Sequence, residues 1–206
     1  MVKKVGTRIA SAVTDYMKQN GLQDRLKNYQ WEFNLVKDTI VNAWCMPGGK
    51  VVVYTGLLPI TQNEKALAVV LGHEISHAVA NHGNERMSAQ LLEQLGFSAL
   101  DAAMQNKPEQ TRSIFEGVIG MSTELGFMLP FSRKQESEAD RMGLIFMAMA
   151  GYDPTEAVNF WKRMAQQSNG QQPPQFLSTH PSDATRIADI QNKYLPEALK
   201  YYKKPG

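Results

Sequence analysis

Three of the four histidines in this 206-residue chain lie within the stretch LGHEISHAVANHG at residues 71–83. His73 and His77 are four residues apart, which on an α-helix is a rotation of about 400°, so both rings lie on one face, one turn apart. Two imidazoles placed in this way reach a single metal ion. Glu74, about 100° around the helix, reaches a water molecule beside that ion. The pattern His-Glu-x-x-His therefore predicts two zinc ligands and a general base for metal-assisted hydrolysis.

Zinc chemistry explains why these residue types occur together. Zinc binds neutral imidazole at about 2.0–2.1 Å and acidifies a water molecule, which Glu74 can deprotonate as the water attacks a carbonyl. The alternative is a helix that carries these residues by coincidence. We favour the metal site because the flanking residues are mostly apolar and predict a buried helix, where an uncompensated polar group is costly.

His82 is predicted to take no part in this site. It lies nine residues after His73, a rotation of about 900° that turns it to the opposite side of a continuing helix. The pair His82-Gly83 instead indicates a helix C-terminus, where histidine suits the helix dipole and glycine suits the turn.

The third zinc ligand is expected to be a downstream carboxylate, because a catalytic zinc usually takes three protein ligands and the helix supplies no third histidine. The stretch SRKQESEADRMG (132–143) places Glu136 and Asp140 four residues apart, on one helix face. One carboxylate can bind zinc while the other accepts a hydrogen bond from a ligating histidine. Taken alone, the stretch favours a solvated acidic face paired with Arg133, Lys134 and Arg141. The other candidate carboxylates are Glu85, Glu93, Glu109, Glu116, Glu124 and Glu138.

The elements that must position these residues begin with one helix and three strands. The spacing of apolar residues predicts a helix over 5–20, and alternation of apolar and polar residues predicts a strand over 29–36. Two stretches rich in β-branched and aromatic residues, 39–46 and 50–56, are joined by Pro-Gly-Gly. They predict a hairpin.

Helices are predicted for most of the chain after Gly56. Asn63 is a candidate N-cap for the helix over 66–82 that holds the histidine pair. Residues 168–181 are predicted to form a loop. Further helices are predicted over 87–100, 110–128, 133–150, 155–167 and 182–194.

Strands followed by helices indicate the α+β class, here a mainly helical domain with a small antiparallel β-sheet. No linker divides the sequence, so we expect one catalytic domain over residues 1–206. It includes an N-terminal helical segment over 1–28 and a tail over 195–206.

Composition excludes several function classes. With a net charge of only +2, the chain lacks the excess of basic residues that would indicate nucleic acid as a partner. The single cysteine, Cys45, excludes a disulfide within the chain and a cysteine-rich zinc site. The apolar stretch 114–131 contains two glutamates, so a buried helix explains it better than a membrane span. Peripheral contact with a membrane remains open, as does the oligomeric state.

Three stretches together resemble a known family: NAWCMPGGKVVVYTGLL, LAVVLGHEISHAVANHGNERMS and FSRKQESEADRMGLIFMAMAGYDP. They are similar to the gluzincin metallopeptidases that include the CAAX prenyl endopeptidase, the membrane heat-shock protease HtpX, the mitochondrial OMA protease and the periplasmic β-barrel-assembly-enhancing proteases. The resemblance covers about residues 36–190. It implies a zincin-like fold and one Zn2+ per chain.

The resemblance also implies roles for individual residues. The family pattern pairs His-Glu-x-x-His with a later Glu-x-x-x-Asp. It implies His73, His77 and Glu136 as zinc ligands, Glu74 as the base, and Asp140 as the carboxylate that supports a ligating histidine. The prenyl protease and HtpX have several membrane spans, whereas this sequence predicts none. The resemblance favours the bacterial cell envelope, most specifically the periplasm, with the cytoplasm as the alternative.

Two further parts of the site are candidates. The strand residues Asn42, Ala43, Trp44 and Cys45 are expected either to pair with an extended substrate, as an edge strand above the metal does in zincins, or to form plain core sheet. His180, in LSTHPSD, has three candidate roles: a surface histidine, a hydrogen-bond donor to the oxyanion, or a latch that occupies the open zinc position until its loop moves.

The predicted function is a zinc metalloendopeptidase that acts on unfolded or misassembled polypeptides. The alternative is a chaperone-like module that binds polypeptides and uses a metal only to stabilise its fold. We favour the enzyme because structural zinc sites are usually closed and often rich in cysteine, whereas this one has Glu74 where a base belongs.

Overall fold

The computed structural model describes residues 1–83, 85, 131–167 and 174–203. The helices predicted over 87–100 and 110–128 lie outside the described residues. The strands are β1 Glu32–Val36, β2 Ala43–Met46 and β3 Lys50–Tyr54. The helices are α1 Val2–Gln19, α2 Leu58–Thr61, α3 Glu64–Val79, α4 Arg133–Met149, α5 Glu156–Gln166, α6 Gln175–Thr179, α7 Ala184–Asp189 and α8 Leu195–Ala198, with short 3-10 turns at Gln23–Leu26 and Thr55–Leu57 and a π-helical turn at Ile190–Tyr194.

The fold is α+β and mainly helical, as predicted, but the sheet is mixed rather than wholly antiparallel. Strands β2 and β3 form the predicted hairpin, while β1 pairs with β3 in parallel, giving the order β1-β3-β2. The connection 37–42 therefore carries the chain across the end of β3. The sequence could not show this, because a strand pattern does not specify which neighbour the strand will take.

Helix α1 packs its apolar stripe against the sheet and α3. Val5, Ile9, Val13 and Met17 are fully buried, which matches helical spacing. Gly6 permits close contact with β1, because a Cβ there would lie 2.2 Å from Phe33 Cδ1.

Helix α3 is buried on all sides, as its even distribution of apolar residues predicts. Asn63 is its N-cap, and its side chain accepts a hydrogen bond from the Ala66 N–H at 2.9 Å. The helix ends at Val79, three residues earlier than predicted. Asn81 then adopts a φ of 62°, a left-handed conformation that asparagine tolerates better than most residues.

Helix α4 packs across α3 at a contact between two glycines. Ser132 and Gln135 form a capping box at its N-terminus. A Cβ on Gly72 would lie 2.6 Å from the Gly143 carbonyl oxygen, and a Cβ on Gly143 would lie 2.8 Å from the His73 nitrogen. The glycines therefore bring the two backbones together one residue before His73 and one turn after Asp140.

The C-terminal third differs from the prediction in two places. The predicted loop over 168–181 contains α6, and the predicted tail begins with α8, where Ala198 is fully buried and Glu197 pairs with Arg141. Across the described parts of the chain, no helix combines the length and apolar character that spanning a membrane requires.

Candidate metal centre

Four buried side chains converge at the crossing of α3 and α4. They are His73, His77, Glu136 and His180, and one ligand atom from each lies within 4.8 Å of the other three. His73 Nε2 is 3.0 Å from His77 Nε2 and 3.1 Å from His180 Nδ1. Glu136 Oε1 is 2.9 Å from His180 Nδ1 and 3.1 Å from His77 Nε2.

The size of this group fits zinc. Four atoms at the corners of a tetrahedron, each about 2.0–2.1 Å from the ion, are separated by about 3.3–3.4 Å. Four of the six separations are 2.9–3.1 Å, slightly shorter than that spacing, and all six are within 4.8 Å. Two imidazoles of α3, one carboxylate of α4 and one imidazole from beyond α6 thus supply nitrogen and oxygen ligands of the types that zinc prefers.

The outer nitrogen of each ring strengthens the case for a cation. His73 Nδ1 lies 2.9 Å from Asp140 Oδ1, His77 Nδ1 lies 2.9 Å from His82 Nδ1, and His180 Nε2 lies 3.4 Å from Glu74 Oε1. A neutral imidazole that donates through its outer nitrogen has a lone pair on its inner nitrogen. Where the outer nitrogen carries the proton, the inner nitrogen presents a lone pair to the group, and a proton or a metal cation between the inner atoms relieves their repulsion.

Asp140 and Arg186 form a buried ion pair behind the ligands. Arg186 Nε and Nη2 donate to the two Asp140 oxygens at 2.7 and 2.8 Å, and Arg186 Nη1 lies 2.7 Å from Glu136 Oε2. Burial alone would raise the pKa of Asp140, but the Arg186 guanidinium and His73 hold it below its usual value. Burial would likewise raise the pKa of Glu136, but His73, His180, His77 and Arg186 hold it well below its usual value. Both carboxylates therefore remain ionised at neutral pH. Arg186 also lies over the Trp161 ring at 3.7 Å.

Glu74 lies at the edge of the group, on the side of the cleft. Burial raises its pKa above the usual glutamate value. Its Oε1 is buried and makes no hydrogen bond within the described residues. His180 Nε2 lies 3.4 Å from this oxygen. A buried carboxylate with a raised pKa at the edge of a metal site is suited to accept a proton from water.

His180 is not a surface histidine, so that sequence-based alternative is wrong. Its side chain is 3% exposed, and its ring packs against Phe176 and Phe131 at centroid distances of 4.7 and 5.2 Å. It follows α6 directly, and the main-chain N–H of Phe131 donates to the Thr179 carbonyl at 3.1 Å. The nearby prolines indicate a mobile loop, and no local pattern in the sequence shows that the His180 side chain turns inward.

His82 is also misplaced by the sequence prediction. Because α3 ends at Val79 and Asn81 reverses the chain, His82 turns back toward the site instead of facing away. It is 1% exposed, and its ring centroid lies 5.0 Å from that of His77. An Asn-His pair directly after a helix is the signal that could have indicated this turn.

Strand β2 forms one wall of a cleft of about 490 Å³ in front of the metal centre. The predicted substrate residues Asn42, Ala43, Trp44 and Cys45 all line it, together with Glu74 and His77. Burial raises the pKa of the Cys45 thiol, with a contribution from Glu74, so this cysteine is a poor nucleophile.

Comparison with known proteins gives a consistent result. Residues 4–194 match the family model of Peptidase family M48. The chain is 36% identical over 178 residues to the mitochondrial metalloendopeptidase OMA1 of Schizosaccharomyces pombe, covering 84% of this chain and 49% of the relative. It is 33% identical over 180 residues to the human metalloendopeptidase OMA1, covering 85% and 34%.

A bacterial relative is similar to nearly the same extent. The β-barrel assembly-enhancing protease of Escherichia coli is 31% identical over 169 residues, covering 79% of this chain and 34% of the relative. The chain therefore spans about a third to a half of the length of these curated relatives.

Proposed function

The chain belongs to the zinc metalloendopeptidases of peptidase family M48, and on this premise we propose that it cleaves unfolded or misassembled polypeptides at a zinc site formed by His73, His77 and Glu136. The observation that supports the proposal best is the buried convergence of these ligand atoms beside the buried carboxylate of Glu74.

Glu74 is the proposed general base. When bound, zinc polarises the peptide carbonyl and lowers the pKa of a water molecule. Glu74 takes the proton from the attacking water and passes it to the departing amine. Its raised pKa favours this exchange, because proton transfer is most effective when the pKa of the base is near the working pH.

Asp140 is the proposed positioning residue for His73. Its carboxylate, 2.9 Å from His73 Nδ1, selects the tautomer with a lone pair on Nε2 and fixes the ring. Arg186 in turn holds Asp140 through both carboxylate oxygens. The buried Arg186 guanidinium therefore orients Asp140 and, through Asp140, the proposed ligand His73.

Strand β2 is the proposed docking site for the substrate backbone. It is an edge strand of the described sheet, lies against α3 and faces the cleft. Pairing with such an edge requires an extended peptide and uses main-chain hydrogen bonds, so it tolerates many sequences. This is the reason to expect unfolded rather than folded substrates.

Location and partners follow from the relatives and are part of the proposal. The β-barrel assembly-enhancing proteases favour a bacterial envelope location, whereas the OMA1 relatives are mitochondrial. We propose that the chain acts in the envelope, most specifically in the periplasm, and that its partners are polypeptides.

Substitution Glu74→Gln tests the enzyme against the chaperone-like alternative. We expect zinc content to stay at one ion per chain while cleavage of labelled unfolded casein falls by about 10²–10⁴-fold, because only the base is lost. Glu32→Gln, in an exposed pair on β1, is the matched control and should cleave normally. A wild-type protein that binds casein with zinc present but never cleaves it would support the alternative instead.

His180 is proposed to act as a latch. Its Nδ1 lies within the ligand group, 3.1 Å from His73 Nε2 and 2.9 Å from Glu136 Oε1, so it would complete a closed four-ligand site. Arg186 stabilises this arrangement by donating to the Pro181 carbonyl at 2.8 Å.

Substitution His180→Ala separates the latch from the oxyanion-donor role. A latch predicts faster casein cleavage, because the substrate no longer has to displace the ring. A donor predicts a loss of about 10²–10³-fold in kcat. Zinc content measured on the same samples shows whether either change is caused by loss of metal.

A further inference from the structure

We propose that His82 is a positioning residue that holds His77 in the orientation needed for metal binding, through a hydrogen bond between the two Nδ1 atoms. The inference rests on the proposed zinc site and adds a residue to it. His82 thus has the role for His77 that Asp140 has for His73.

The chain path shows that His82 is placed in the site by a specific turn. Helix α3 ends at Val79, and Asn81 has a φ of 62°. The Glu85 N–H donates to the Asn81 carbonyl at 3.0 Å, and Gln135 of α4 donates to the Glu85 carboxylate at 2.9 Å. The segment after α3 is therefore fixed to α4, and His82 is 1% exposed.

The geometry of the two rings allows only one useful arrangement of protons. The two Nδ1 atoms are 2.9 Å apart, so one must donate and the other accept. If His77 binds zinc through Nε2, its proton is on Nδ1. His82 must then accept with its own Nδ1 and hold its proton on Nε2.

The outer nitrogen of His82 supports this assignment. His82 Nε2 lies 3.5 Å from Glu138 Oε2, and the Glu138 side chain is 48% exposed. The carboxylate favours a proton on that nitrogen. A chain of contacts therefore runs from His77 through His82 to a carboxylate at the surface, whereas the Asp140 support of His73 is fully buried.

Zinc affinity is the direct test. Loss of a residue that orients a metal ligand typically weakens metal binding by 10–100-fold. We expect His82→Phe, which keeps an aromatic ring but removes the acceptor, to weaken zinc binding by about that factor in a chelator competition. His82→Gln, whose amide oxygen can accept, should stay within about threefold of wild type.

A second measurement needs no variant. In the zinc-loaded wild-type protein, nitrogen-15 chemical shifts should show His82 protonated on Nε2 with an unprotonated Nδ1 that accepts a hydrogen bond. His82 protonated on Nδ1, or a His82→Phe protein that folds and binds zinc as tightly as wild type, would overturn the inference.

The outcomes distinguish this inference from the function on which it rests. A wild-type protein that cleaves casein with zinc, combined with an unchanged zinc affinity in His82→Phe, removes the role of His82 and leaves the peptidase intact. A wild-type protein that binds no zinc removes the proposed function itself.

Discussion

The metal centre is assembled by two regions of different construction. His73, His77 and Glu136 come from two long helices, α3 and α4, which meet at the Gly72–Gly143 contact. His180 comes from the connection between α6 and α7, two helices of five and six residues. The first region is held by its own buried surface. The second is held mainly by Arg186 and by aromatic stacking on Phe131 and Phe176.

This difference in support predicts different mobility for the two parts of the site. Ligands on packed helices are placed by the core and cannot shift without disturbing it. A ligand on a short connection is held by fewer buried apolar residues, here chiefly Phe176 and Leu177, so we expect its displacement to cost less.

Zinc removal is expected to have the largest effect on stability and to affect the two regions to different extents. At free zinc of about 1,000 times the dissociation constant, binding stabilises the folded state by about 4 kcal/mol. Without zinc, the four inward atoms lose their common partner, and amide exchange should rise most over 175–183 while α3 and α4 stay protected. Exchange measured by mass spectrometry with and without chelator checks this. An equal rise in both regions would mean that the helices also depend on the metal.

Substitution Gly143→Val is expected to damage the helical region itself. A Cβ there would lie 2.8 Å from backbone atoms of Gly72 and His73, which cannot move aside as a flexible side chain can. Overpacking of this kind costs about 3 kcal/mol at the upper end of its usual range. Urea unfolding of the zinc-free protein measures it. Gly83→Ala, where a Cβ meets nothing within 4 Å, is the control and should change stability by less than about 0.5 kcal/mol.

The same division separates what the sequence could predict from what it could not. The ligand pair of α3 follows from helical spacing, and the capping residues Asn63 and Ser132 were recognisable locally. The choice of Glu136 among several downstream carboxylates came from family resemblance, because spacing alone left an acidic surface as the better explanation.

The sequence predictions were wrong at positions whose placement depends on tertiary contacts. His82 depends on a reversed turn at Asn81. His180 is held inward by packing on Phe131, which is distant in sequence, and by contacts with Phe176 and Arg186 whose geometry the spacing alone does not reveal. Strand β1 pairs with β3 because the connection after it crosses the sheet end, and no periodicity encodes that crossing.

Substitution Asp140→Asn tests the support of the helix-borne ligands. The amide keeps the side-chain shape but removes the charge that orients His73 and neutralises Arg186. We expect zinc affinity to fall by about 10–100-fold, or about 1.4–2.7 kcal/mol. Chelator competition measures it, with Asp189→Asn, from a half-buried carboxylate that pairs with the exposed Lys193, as the control. If both variants bind zinc equally, Asp140 is only part of the buried packing.

Substitution Arg133→Gln should have the smallest effect, although it alters a contact between the two regions. Arg133 Nη2 lies 3.6 Å from Asp183 Oδ2, connecting the start of α4 to the segment that follows His180. Both side chains are largely exposed, at 93% and 52%, and exposed pairs at this distance contribute less than about 0.5 kcal/mol. We therefore expect the unfolding free energy, and the casein cleavage rate between 0.05 and 0.5 M salt, to match wild type closely. A severalfold rise in cleavage would show that this surface pair restrains His180, and the buried Arg186 contacts would then not be sufficient to hold the latch.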